Sequence, residues 1–102
     1  MISRVERELG EFEEVFSALA HASRRHVLVV LNARGGEMTA GEIARRFSCS
    51  WPTTTRHLKV LEAAGLVATE RRGREIVYQL DREKLDRVVN GWMRWFQPKQ
   101  RR

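Results

Sequence analysis

From residue 4 to residue 64 the apolar side chains recur at steps of three and four; from 66 to 80 that rhythm stops. Val5, Leu9, Phe12, Val15, Phe16 and Leu19 trace one face of a helix over residues 4–20, and its other face is acidic. Ser23 is placed to cap a second helix with Val27, Leu28, Val30 and Leu31 inward. Arg24 and Arg25 open its polar side, and Asn32 to Gly36 end it. Thr39-Ala40-Gly41-Glu42 has the form of a capping box and starts a short third helix with Ile43, Ala44 and Phe47 inward. After the tight turn Ser48-Cys49-Ser50, Ser50 caps a fourth helix with Pro52 in its first turn. Thr54, Leu58 and Leu61 share one face of that helix, which runs to about Ala64, with Gly65 as the residue that closes it. Leu66–Glu70 and Ile76–Leu80 then read as two strands, joined by the tip Arg71-Arg72-Gly73-Arg74. Asp81 caps a last helix carrying Leu85, Val88, Val89, Trp92, Trp95 and Phe96, and Pro98 stops it. The expected architecture is mainly α with a small β-hairpin. Residues 1–98 form one folded unit, and residues 99–102 form a frayed basic tail.

Composition narrows the class. With 102 residues the chain has room for one core, burying roughly 60–70% of its unfolded surface. Hydrophobic residues at 42% against 31% charged exclude a wholly disordered chain. No apolar run approaches the ~20 residues of a membrane helix, and residues 1–10 lack a signal-peptide core, so a cytoplasmic protein without a membrane partner is expected. A single cysteine, Cys49, excludes an internal disulfide and a Cys-cluster zinc site. There is no Gly-rich phosphate loop, no paired-carboxylate motif and no nucleophile with an evident base, so an enzyme is not expected.

The charge is unevenly spread. Residues 1–51 carry seven Arg against seven Glu, while residues 52–102 carry twelve basic and six acidic residues, so the whole excess of +6 lies in the second half. A localised positive field points to a polyanion, and nucleic acid is the usual one. The order of elements supplies the geometry: the third and fourth helices form a helix-turn-helix, and the hairpin after them is a wing. In such a unit the second helix enters the major groove. Ser50, Thr53, Thr55, Arg56, His57 and Lys59 lie early in that helix, and hydroxyls and guanidiniums there reach phosphates and base edges. Trp51 either touches sugar or a thymine methyl, or packs on the third helix. Arg71, Arg72 and Arg74 at the hairpin tip suit phosphates or a narrow minor groove. Two other readings use the same fold: a winged helix for protein contact, and a nonspecific architectural DNA binder.

The stretch from Phe16 to Leu31 (FSALAHASRRHVLVVL) resembles the segment that precedes the reading head of ArsR-type winged-helix repressors. Residues 50–67 (SWPTTTRHLKVLEAAGLV) resemble that family's recognition helix, and the Arg72-Gly73-Arg74 wing ending in Ile76–Leu80 matches too. The resemblance covers about residues 12–85. It implies a homodimeric repressor on a palindromic operator, with the first and last helices paired across a two-fold axis. Leu9, Phe12, Phe16, Val89, Trp92, Trp95 and Phe96 are the interface residues it implies, and their aromatic content agrees; intramolecular core is the other reading.

The departures from the family matter as much. Many of its members sense metals through a cysteine pair on the third helix or through His and Asp ligands on the last. Here residues 42–50 hold only Cys49, and the last helix has no histidine. His21, His26, His57 and Cys49 form no recognisable ligand set, so no metal and no cofactor is expected. His26 is expected on the polar face of its helix, and His57 either facing DNA or beside the wing. No inducer can be named from these residues.

Overall fold

The computed structural model describes residues 3–98; the basic tail at 99–102 lies outside them. The elements run α1 (Arg4–Leu19), α2 (Ala22–Ala33), β1 (Glu37–Thr39), α3 (Ala40–Arg46), α4 (Trp51–Ala63), β2 (Val67–Arg72), β3 (Glu75–Leu80) and α5 (Arg82–Met93), with a closing 3₁₀ turn at Arg94–Phe96. Among the described residues no helix is long and apolar enough to cross a membrane. The core gathers Val15 and Ala18 from α1, Val27, Leu28, Val30 and Leu31 from α2, Ile43, Leu58 and Leu61 from α3 and α4, and Val88 from α5.

Local chemistry sets most of the boundaries. The Thr39–Glu42 capping box is reciprocal: the Thr39 hydroxyl accepts from the Glu42 amide at 3.1 Å, and the Glu42 carboxylate accepts from the Thr39 amide at 2.9 Å. An unexpected capping box at Ser3 and Glu6 starts α1. Ser50 caps α4, with Pro52 where its missing N–H costs nothing. At the other end Gly65 adopts φ +76°, and the Leu66 and Gly65 amides donate to Leu61 O and Glu62 O at 3.0 and 2.9 Å. This Schellman closure needs the left-handed backbone that glycine adopts at little cost.

Five expectations need correction. The last helix does not run on to Pro98: α5 ends at Met93, and Trp95 and Phe96 lie in the 3₁₀ turn. Ser23 does not cap α2; His21 does, its Nδ1 accepting the Ser23 amide at 3.3 Å. Ala44 is exposed, not inward, because it lies about 100° round the helix from Ile43, whose inward neighbour is Phe47 four residues on. The sheet has three strands in the order β1-β3-β2, since Glu37–Thr39 pairs antiparallel with Val77–Gln79 and buries Met38. The hairpin is longer than expected: Arg71 pairs with Ile76 and Arg72 with Glu75, leaving Gly73 (φ +61°) and Arg74 as the turn. Arg71 and Arg72 are therefore strand residues on opposite faces of the ribbon.

Candidate nucleic-acid interface

The faces of α4 follow from helical spacing. Thr54, Leu58 and Leu61 are buried, which points the opposite side of the helix outward. Arg56 lies about half a turn from that stripe and is exposed, as are Ser50 and Lys59. Thr53 is half-buried beside the cap, its hydroxyl accepting from Ser50 Oγ at 3.0 Å. Trp51 is exposed at the first helical position.

Thr55 and His57 sit at the two edges of the buried stripe and are only half exposed. The Thr55 hydroxyl and His57 Nδ1 are both shut off from solvent, with no hydrogen-bond partner among the described residues. The His57 ring faces neither outward nor toward the wing; it packs on His21, with ring centroids 4.4 Å apart. Burial first, then the neighbouring charges of His21, Arg24 and Arg56, push the His57 pKa below the ordinary imidazole value. A neutral imidazole is what such a site favours. His26 is exposed on α2, edge-on to Phe47 at 5.0 Å.

The wing arginines differ from one another. Arg72 is bidentate to Glu37 at 3.0 and 3.0 Å and also donates to Glu70 at 2.9 Å. Gln79 donates to both carboxylates, at 3.3 and 2.9 Å. Hydrogen bonds from Arg72 and then Gln79 hold the Glu37 carboxyl below its usual pKa. Arg72 thus arrives with its charge answered, because β1 brings Glu37 beside it. Arg71 donates to Gly73 O at 3.3 Å, and Arg74 is exposed at the turn. Two exposed cations outside the expected set, Arg45 and Arg46, end α3 on the same helix-turn-helix. Their signal was a basic pair in the last turn of a helix that crosses the backbone in such units.

α1 and α5 lie side by side. Phe16 stacks edge-on to Trp92 at 5.3 Å, and Trp92 lies 4.8 Å from Phe96. Phe12 packs partly buried against the core, and Val89 is half-buried. Leu9, Trp95 and Phe96 stay exposed, at 59%, 79% and 65%. Glu11 of α1 bridges Arg87 and Lys84 of α5 at 2.6 and 3.5 Å, which lowers its pKa. Arg24 and Arg25 of α2 reach back to α1, donating to Ala18 O and Leu19 O at 2.7 Å each and, from Arg24, to Ser17 O at 3.2 Å. They satisfy carbonyls that the end of α1 leaves open, at the negative pole of its dipole.

Comparison with known proteins adds context. A family model described as a helix-turn-helix domain matches residues 19–70. The transcriptional repressor SdpR of Bacillus subtilis is 39% identical over 78% of this chain and 84% of its own length. The solved structure of an ArsR-like transcriptional regulator from Rhodococcus sp. RHA1 superposes with a TM-score of 0.76 at 30% identity, covering 86% of this chain and 81% of that one. A homodimeric winged helix-turn-helix DNA-binding domain from Mycobacterium bovis, described as a possible ArsR-family regulator, shares the fold (TM-score 0.72, 24% identity, 100% of this chain and 95% of that one).

Proposed function

We propose, from the premise that this chain belongs to the ArsR-type family of winged helix-turn-helix regulators, that it is a homodimeric repressor reading a palindromic operator without a metal. The outward face of α4 carries this reading: Arg56 projects opposite the buried stripe, flanked by Ser50, Thr53 and Lys59. In a major groove Arg56 meets base edges, and Ser50 and Lys59 meet phosphates. Arg71 and Arg74 of the wing, with Arg45 of α3, extend the positive surface along the backbone. Trp51 is a sugar or methyl contact in the same pose. Thr55 and His57 support the helix from its edges.

The dimer is proposed on the α1–α5 layer, where Leu9, Trp92, Trp95 and Phe96 expose an apolar surface that a second copy would cover. Two copies related by a two-fold axis place two reading helices about one DNA turn apart, which calls for a palindrome. Occupancy of a promoter then blocks transcription. The absence of metal sensing rests on the donor set: Cys49 has no cysteine partner in sequence, and the Nδ1 of His21 is already spent as a helix cap.

The test is fluorescence anisotropy of the protein with duplex DNA from upstream of its own gene, beside a scrambled duplex, at two salt concentrations. A preference of about 10³-fold or more at physiological salt supports a specific operator. Equal binding that collapses with salt replaces this reading with an architectural role, and no binding at low salt replaces it with a protein-contact module.

A further inference from the structure

The inner angle of the helix-turn-helix holds a cavity of about 340 Å³. That is the lower end of the ~300–1,000 Å³ range of small-ligand pockets. Its wall is drawn from three parts of the fold: Ser23 and His26 of α2, Arg46 and Ser48 at the end of α3 and the following turn, and His57 of α4. No carboxylate among the described residues lines it. Among the described residues Arg46 makes no ion pair; its guanidinium rests over the Phe47 ring, 5.5 Å from the centroid. Arg24 and Arg56 add positive charge around His57 from α2 and from α4 itself.

A cation in this space would meet a guanidinium and no countercharge. Val27 and Phe47 also line it, but a wholly apolar ligand would leave the guanidinium, imidazoles and hydroxyls without partners. An oxyanion answers both: a guanidinium, two imidazoles and two hydroxyls are all able to donate to oxygen. We infer that this cavity binds a small oxyanion, a phosphate or a carboxylate, held by Arg46 with His26, His57, Ser23 and Ser48 around it. The site stands independently of the operator reading. The oxyanion is a free ion, because this side of α4 faces the interior of the fold. It sits behind α4, against the side of the helix opposite Arg56, so its occupancy bears on how the reading helix is seated.

The experiment is histidine ring ¹H–¹⁵N NMR of the intact protein, titrated with inorganic phosphate at fixed ionic strength, with chloride as control. Expected are saturable shifts of the His26 and His57 rings with phosphate only, and a rise in the pH at which His57 titrates once phosphate is bound. Arg46→Gln is expected to weaken the phosphate affinity about tenfold or more, the loss of one charge-assisted contact, with an unchanged thermal melt. His26→Gln serves as a second, smaller lesion. Shifts that rise linearly and equally with chloride, or an Arg46→Gln affinity equal to the parent's, overturn the site. A second arm adds duplex DNA without phosphate. If phosphate binds with the same affinity beside the duplex, the free-ion site stands; if the duplex alone reproduces the ring shifts and phosphate competes with it, the cavity is a DNA-phosphate contact and the free-ion assignment falls. Failure of DNA binding leaves the first arm readable.

Discussion

α4 buries its apolar stripe inside its own chain, whereas α5 fully buries only Val88 and half-covers Trp92 against Phe16, and the 3₁₀ turn after it leaves Trp95 and Phe96 largely to water. The two helices have similar lengths, 13 and 12 residues, and each is capped by a side chain at its start. What separates them is the partner each apolar face meets. Leu58 and Leu61 pack with α2 and the strands, while the aromatic end of α5 leans on Phe16 and extends past it. The helix-turn-helix is packed within a single chain, while the α1–α5 layer leaves an apolar surface exposed.

Substitutions in each region sharpen that contrast. Leu61→Ala, at a fully buried position, is expected to cost about 2–5 kcal/mol in urea unfolding, at any protein concentration. Trp95→Ser with Phe96→Ser is expected to lose about 2–4 kcal/mol of self-association, read by sedimentation. The melt of the dilute protein should stay near the parent's. An equal loss of stability in the dilute protein would mean that these aromatics belong to the monomer's core and would erase the contrast. Arg56→Ala is expected to cost about 1–3 kcal/mol of operator affinity and relax base preference. Arg74→Ala is expected to weaken all duplexes alike and reduce the salt slope by about one.

The smallest effect expected is at Glu11. Its pKa is lowered by Arg87, which bonds it directly, and by the charge of Lys84. A depressed carboxylate contributes stability above its unfolded pKa of ~4.3, and that contribution disappears as pH falls through the folded value. The pair is partly exposed, so about 0.2–1 kcal/mol is at stake. Glu11→Gln should lower the melt at pH 7 slightly and leave it unchanged at acid pH below the folded value, where the parent's Glu11 is also neutral. A deficit persisting at acid pH would assign Glu11 a packing role instead.

The parts of the molecule legible in the sequence are those decided within a few residues. Ser50, Pro52 and Gly65 bound α4 by cap chemistry and backbone preference, and the step from Thr54 to Leu58 to Leu61 orients it. The missed parts depend on neighbours distant in the chain. Ser23 and His21 compete for one cap, and the imidazole wins where it can also pack on His57 of α4. Three residues from Glu37 are too few to announce a strand, yet β3 recruits them, and Glu37 then claims Arg72 from the wing. Thr55 and Arg56 are adjacent and equally polar; only the packing of Leu58 and Leu61 decides that one tucks in and the other projects.

Arg24 and Arg25 leave little slack between α1 and α2. Each belongs to one helix and is tethered to the last carbonyls of the other, so a tilt of α1 drags the start of α2 with it. That start holds His21, whose ring touches the back of α4. The joint works as a crank rather than a hinge. In the proposed dimer the span between the two reading helices is then set by the angle at which the α1 helices meet, and a few degrees at the two-fold axis become ångströms at the operator.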